Sequence, residues 1–144
     1  MLKGIDPILT PELLQALRAM GHSDTIVIVD AHFPAASIGP PVVRLAGVTS
    51  TQAADAILAL LPLDDFVTES AWCMEVVDDP AADLPVMIEF RALINKHEGG
   101  AFDLHKLQRF KFYEEAKKAF VVVATTETRL YGNLILKKGV IRTN

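Results

Sequence analysis

Continuous apolar runs alternate along the chain with segments of helical periodicity. Runs rich in β-branched residues are typical of strands that are buried on both faces of a sheet. Two runs predict strands of this kind, Thr25–Val29 and Phe120–Val123. Two further strands are predicted over Val42–Leu45 and Ala71–Val77. The last apolar segment, Leu134–Ile141, predicts a short hairpin that turns at Lys138-Gly139.

The segments with helical periodicity carry recognisable start and stop signals. In the first, Thr10 can cap the helix, Pro11 suits its first turn, and Gly21 can stop it. Three further helices are predicted over Gln52–Leu61, Leu84–His97 and Phe110–Lys118. Buried strands that alternate with helices predict an α/β fold, a three-layer α/β/α sandwich with a largely parallel sheet, as a single domain over residues 1–144.

Composition adds an expectation of self-association. Hydrophobic residues make up 51% of the 144 positions and the mean hydropathy is +0.29, yet no apolar run approaches the ~20 residues of a membrane span. Surplus apolar surface without a membrane predicts a subunit interface, and therefore a homo-oligomer. The net charge of −4, with scattered basic residues, argues against a nucleic-acid surface.

Several classes of chemistry lack their motifs. Cys73 is the single cysteine, so no disulfide can form within the chain, and with no signal-peptide pattern at the start we expect a cytoplasmic protein. The spacing of His32, His97 and His105 matches no helical metal pair. No Gly-rich phosphate loop and no Gly-x-Ser-x-Gly elbow occurs, which argues against nucleotide binding and against serine hydrolase chemistry. We therefore predict neither a metal nor another cofactor.

Chemistry in an α/β fold concentrates where loops leave the carboxyl ends of strands. The polar candidates are His22, Asp30, His32, Arg109, Tyr131 and Asn133. Structural explanations compete for each of the main ones. His22 could cap helix carbonyls, and Asp30 could tie down the Ala31–Pro34 turn through backbone N–H groups. Arg109 could be a helix-start cation, and Tyr131 a core aromatic with its hydroxyl at the surface.

Three stretches, in order along the chain, decide between these readings: "MLKGIDPILTPELLQALRAMGHSDTIVIVDAHFPA", "RFKFYEEAKKAF" and "RLYGNLILKKGV". Together they resemble the fucose branch of the ribose pyranase/fucose mutarotase family. The resemblance runs from Met1 to about Arg142, and Thr49–Phe102 is its least diagnostic part. It implies an isomerase that interconverts the α and β anomers of L-fucose without a cofactor. It also implies ring-shaped assemblies, commonly decamers of two pentamers.

The resemblance also implies roles for particular residues. His22 corresponds to the acid/base group. For a reaction that opens and closes a sugar ring, the Tyr131 hydroxyl can serve as the second catalytic, proton-transfer group. The residues that correspond to the sugar-binding set are Asp30, Arg109, Tyr131, Gly132 and Asn133. Gly132 is expected to allow a sharp bend that presents its two neighbours together.

Two alternatives stay open. A D-ribose pyranase is the nearest one, although Ala31-His32-Phe33-Pro34 and Arg109 are typical of the fucose branch. The other is a monosaccharide-binding accessory protein that does not interconvert its ligand. His22 separates the classes, because a pure binder needs no group that titrates near neutral pH.

The length of the first predicted strand adds a geometric expectation. A strand over Thr25–Asp30 at ~3.3 Å per residue is roughly 17 Å long, so His22 and Asp30 should lie near opposite ends of it. One sugar could not easily touch both. Either the Gly21–Asp24 loop folds back over the sheet, or His22 comes from a neighbouring subunit. We expect the shared pocket, because the high apolar content already favours an oligomer.

Overall fold

The computed structural model describes residues 1–144 and contains six strands and four helices. In chain order they are α1 (Pro11–Ala19), β1 (Thr25–Val29), β2 (Val42–Leu45), α2 (Ser50–Leu58), β3 (Ala71–Met74), α3 (Pro85–Glu98), β4 (His105–Leu107), α4 (Arg109–Lys117), β5 (Val121–Thr125) and β6 (Leu134–Lys137). None of the helices combines the length and apolar character of a membrane span.

All six strands form one sheet in the order β2-β5-β1-β6-β3-β4. The pairs β2·β5, β5·β1 and β3·β4 are parallel, whereas β6 runs antiparallel to both β1 and β3. Five strands therefore point in one direction and β6 in the other. As a result, the start of β6 lies at the same edge of the sheet as the carboxyl ends of the other strands.

The alternation of side chains along β1 divides the interior into two cores. Ile26 and Ile28 point to the larger core, which is covered by α1, α2 and α3. Val27 and Val29 point to a smaller core, which contains Phe112 of α4. Helices thus cover both faces of a mostly parallel sheet, and the predicted α/β fold is confirmed.

The predicted start of α1 is confirmed, while α2 begins two residues before the predicted Gln52 and two helix ends differ from prediction. The Thr10 side chain accepts a hydrogen bond from the Leu13 N–H, and Thr49 and Gln52 form a reciprocal capping box at the start of α2. Helix α1 ends before Met20, whose backbone is extended, and not at Gly21. Helix α2 ends three residues earlier than predicted because its last predicted turn runs into Pro62, which disfavours helical backbone before it.

The strand predictions need three corrections. Strand β3 stops at Met74, short of Val77, because the chain turns at Asp78 with a left-handed φ of 64°. The short edge strand β4 was not predicted, since three half-buried residues carry no periodicity. The hairpin over residues 134–141 is wrong: β6 is a single strand paired on both sides, and Gly139 then packs directly against the Leu63 backbone.

Candidate functional site

A cavity of about 170 Å³ opens at the edge of the sheet where β1, β3 and β4 end and β6 begins. Its volume is below the roughly 300–1,000 Å³ of pockets for drug-sized ligands, so it suits a smaller molecule. Four chain segments meet there, one after each of these three strands and one before β6. The lining residues are Asp30, His32, Phe33, Met74, Val77, Arg109, Tyr113, Leu130, Tyr131 and Asn133.

Asp30 and Asn133 form a buried polar pair at the back of this cavity. The Asn133 Oδ1 accepts from the Asp30 N–H at 2.9 Å, and the Asn133 Nδ2 donates to the Asp30 Oδ2 at 3.1 Å. The Asp30 Oδ1 accepts from the His32 N–H at 2.9 Å. Asp30 therefore ties down the turn after β1, as one of its two readings predicted, and its side chain also lines the cavity. The amide and the carboxylate keep each other in a fixed orientation.

The Tyr131-Gly132 bend is built differently from the prediction. The left-handed residue is Tyr131, with φ of 63°, and not Gly132. Gly132 is required for space, because a Cβ there would lie 2.8 Å from Glu127 Cγ and 3.1 Å from Ser50 Oγ. The Tyr131 hydroxyl reaches across the cavity and accepts from the Val77 N–H at 3.1 Å.

Arg109 is the first residue of α4 and lies at the rim of the cavity. Its guanidinium carbon is 5.4 Å from the ring centroid of Phe110 and 5.7 Å from that of Tyr113. Cation–π contacts of this kind orient a guanidinium while leaving its N–H groups free to donate. Arg109 can therefore act both as a helix-start cation and as a hydrogen-bond donor to a ligand.

His22 does not lie at this cavity. It belongs to the Gly21–Asp24 loop before β1, at the opposite end of that strand from Asp30. Its Nε2 lies 2.9 Å from the Oδ1 of Asp64, and its ring centroid is 5.0 Å from that of Phe66. The His22 side chain is 41% exposed, whereas Asp64 is only 1% exposed. His22 thus presents one ring edge to the outside while a buried carboxylate holds the other.

The Asp64 carboxylate is ionised at neutral pH. Burial raises its pKa, but the hydrogen bonds from His22 and from the Phe66 N–H outweigh burial and hold the pKa below its ordinary value. A carboxylate at this position accepts from the His22 Nε2–H, which leaves Nδ1 of the neutral ring as an acceptor. This arrangement suits a proton-transfer group.

The reading of His22 as a helix cap is wrong, because another residue caps α1. The Lys138 Nζ donates to the carbonyl oxygens of Leu17 and Met20, at 2.8 and 2.6 Å. Lys138 also exchanges backbone hydrogen bonds with the loop that carries His22: its N–H donates to Asp24 O, and its carbonyl accepts from the Ser23 N–H. Lys138 therefore fixes both the helix end and the loop.

Metal-ligand side chains do not converge anywhere in the structure. No three His, Cys, Asp or Glu side chains come close enough together to hold a metal ion. Cys73 lies buried in the larger core, and burial raises the pKa of its thiol to about 11. The protonated thiol is neither a ligand nor a nucleophile at neutral pH.

The sequence assigned no role to three residues that line the cavity or contact His22. His32 was named among the polar candidates without a role; it is exposed and lines the cavity. Tyr113 lies four residues after Arg109 on α4, a spacing that could have identified it. Asp64 is 42 residues from His22 in sequence, and no local signal pairs them.

Comparison with known proteins places the chain in a family. Residues 3–141 match the sequence profile of the RbsD / FucU transport protein family. Fucose mutarotase of Homo sapiens is 48% identical over 99% of this chain and 96% of its own. A crystal structure of the fucose mutarotase from Streptococcus pneumoniae in complex with L-fucose is 42% identical, with a TM-score of 0.90 over 98% of this chain and 100% of that one. Bacillus subtilis RbsD complexed with D-ribose is 23% identical with a TM-score of 0.78 over 99% of this chain and 100% of that one, and shares the fold.

Proposed function

The chain belongs to the RbsD / FucU family, and on this premise we propose that it is an isomerase that interconverts the α and β anomers of L-fucose. One observation carries the proposal: Asp30, Arg109, Tyr131 and Asn133, which come from three distant parts of the sequence, line one small cavity. Gly132 is buried behind the cavity lining and does not belong to it. The relatives named fucose mutarotase match the chain over nearly its whole length. A monosaccharide is therefore the ligand that we propose for the cavity.

Mutarotation is a pair of proton transfers. A base removes the proton from the anomeric hydroxyl while an acid donates one to the ring oxygen, and the ring opens. Rotation about one bond and reclosure give the other anomer. The reaction needs two proton-transfer groups and firm orientation of the remaining hydroxyls, and it needs no redox step and no covalent bond between enzyme and sugar.

The residues at the cavity divide between these tasks. Asp30 and Asn133 offer a carboxylate and an amide in fixed orientation, which bind neighbouring sugar hydroxyls, and Arg109 donates from the rim. Tyr131 presents its hydroxyl inside the cavity and serves as one proton-transfer group.

His22 is the second proton-transfer group of this proposal, with Asp64 as its orienting carboxylate. Because it lies at the other end of β1, we propose that the cavity of one subunit receives His22 from a neighbour. Exposed apolar side chains support contact at both places: Phe66, which touches the His22 ring, is 63% exposed, and Leu130 at the cavity is 61% exposed. We propose a homo-oligomer, a decamer of two pentameric rings, with the site at a subunit interface.

A cytoplasmic location is part of the proposal. Cys73, the single cysteine, is a buried free thiol, which fits a reducing compartment. The expected partners are the monosaccharide and further copies of the chain, with no nucleic acid and no membrane.

Proton NMR saturation transfer between the α and β anomers of L-fucose at neutral pH tests the activity. We expect faster exchange with the protein, a loss of about 100-fold or more in His22→Ala, and slower exchange with D-ribose. His97→Ala is the matched control, because its Nε2 lies 2.6 Å from the Asp55 Oδ1 in a similar pair away from the cavity. It should keep wild-type activity. Unchanged exchange in the presence of bound fucose would make the protein a binder and not an isomerase.

A further inference from the structure

The loop between β5 and β6 is wrapped around a buried carboxylate that the proposed reaction does not use. Glu127 is 2% exposed. Its Oε1 accepts from the Arg129 N–H and from the Arg129 Nε, both at 3.0 Å. Its Oε2 accepts from the Arg129 Nη2 at 3.0 Å and from the Ser50 Oγ at 3.2 Å. Both oxygens of the Glu127 carboxylate therefore accept two hydrogen bonds each, which fix the side chain in a single position.

Arg129 closes this cluster on the outside. Its guanidinium grips the Glu127 carboxylate in fork geometry, and its Nη1 lies 2.7 Å from the Glu89 Oε2 on α3. Chiefly through the Arg129 hydrogen bonds, the pKa of Glu127 falls to about 2 even though burial raises it. The fork therefore stays charged at neutral pH and fastens the loop to the helical layer.

Glu127 is in direct contact with the segment that forms the cavity. Its Cγ occupies the space that a side chain at position 132 would need, and its carbonyl accepts from the Ala31 N–H next to Asp30. Tyr131 must stay in a left-handed conformation that costs a non-glycine residue of order 1–3 kcal/mol. Such a conformation persists only when its surroundings hold it. The Glu127–Arg129 fork lies inside this loop and is one contact that can hold it, beside the hydrogen bond from the Val77 N–H to the Tyr131 hydroxyl.

We propose that Glu127, clasped by Arg129, is a positioning residue that sets the place of the Tyr131 hydroxyl in the cavity. This inference rests on the proposed function, in which Tyr131 transfers a proton. Glu127 does not line the cavity itself, so it acts only through its neighbour. Asn133 is held separately by two hydrogen bonds to Asp30. Loss of the fork should thus displace the proton-transfer group while sugar binding is kept.

The experiment compares Glu127→Gln with the wild type in fucose exchange. The glutamine keeps the shape but removes the charge, and we expect kcat to fall about 10- to 100-fold with KM changed less than about twofold. In a Tyr131→Phe background the same substitution should change kcat less than about twofold, because the hydroxyl that it displaces is gone. Ile94→Val, a mild change in the buried face of α3, controls for lost stability and should keep wild-type kcat.

A second readout does not depend on activity. The chain has two tyrosines, so protein labelled with ¹³C-tyrosine gives signals from Tyr113 and Tyr131 that Tyr113→Phe assigns. In Glu127→Gln the Tyr131 signal should shift or broaden while the Tyr113 signal stays. If Glu127→Gln does not fold, Arg129→Lys takes its place, since it keeps the charge pair but removes the fork.

The outcomes separate this inference from the proposed function. Wild-type protein without any effect on exchange would overturn the activity, and the tyrosine signals would still decide the positioning. Wild-type kcat in folded Glu127→Gln, an equal loss in the Tyr131→Phe background, or an unmoved Tyr131 signal would each overturn the inference.

Discussion

The Tyr131-Gly132 step combines two separate constraints on single residues. Tyr131 carries the unfavourable left-handed φ, and Gly132 is there because its neighbours leave no room for a Cβ. A reading from sequence naturally assigns the unusual backbone to the glycine, since glycine adopts positive φ without cost. The close approach of the Glu127 side chain is a tertiary contact, which no local pattern reveals.

Gly132→Ala should destabilise the fold by about 1–3 kcal/mol because the added methyl collides with Glu127. Urea unfolding measures the effect. Gly21→Ala is the matched control: its added Cβ would lie 3.6 Å from the nearest atom, an ordinary contact, so its stability should stay within about 0.5 kcal/mol of wild type. Equal losses in the two variants would contradict the steric explanation.

Asp64→Asn should lower kcat for fucose about 10-fold or more with little change in sugar affinity. An amide can donate to the His22 ring as well as accept from it, so the ring loses its fixed tautomer. Asp55→Asn alters the equivalent partner of His97 and should leave kcat unchanged. The comparison uses saturation transfer for kcat and calorimetry for affinity. Wild-type kcat in Asp64→Asn would rule out the orienting role.

At the scale of elements, local signals placed most helices and strands but misjudged how they end and pair. The caps at Thr10 and Thr49 involve residues three apart, and such contacts are visible in sequence. The apolar pattern of strand β6 and the residues after it is also compatible with a hairpin. The strand stays single because both its edges are occupied, by β1 and by β3, which are far away in the chain.

The loop between β5 and β6 should make stability depend on pH. Glu127 has a pKa of about 2 in the fold against an ordinary 4.5, so its ionised form stabilises the fold fully above about pH 4.5 and loses this effect as pH falls toward 2. The contribution is at most about 3 kcal/mol. The gap in free energy of unfolding between wild type and Glu127→Gln should therefore shrink from pH 6 to pH 3, as urea titrations would measure. A constant gap would exclude the charged fork as its source.

At the scale of the whole molecule, the two proposed proton-transfer groups lie far apart. Tyr131 and His22 lie at opposite edges of the sheet because one precedes β6 and the other precedes β1, and these strands are antiparallel neighbours. The proposed site is complete only when the cavity of one copy meets the His22 loop of another.

Subunit mixing tests the shared site directly. His22→Ala and Asp30→Asn should each be inactive alone, while co-expressed mixed oligomers should recover up to about a quarter of wild-type activity, because some sites pair an intact cavity with an intact His22. Co-expression of His22→Ala with the double variant His22→Ala/Asp30→Asn should recover none. Mixed oligomers without activity would indicate a site within one chain.

The sequence by itself determined the α/β class, the capped start of α1, the strand that delivers Asp30 and the three motifs that carry the resemblance. These features depend on residues that are close together in the chain, or on short continuous stretches of sequence. The tertiary structure alone decided the Asp64 partner of His22, the left-handed Tyr131 and the single strand β6. Each of these arises from groups that are distant in sequence, and only the packing of the sheet and its helices brings them into contact.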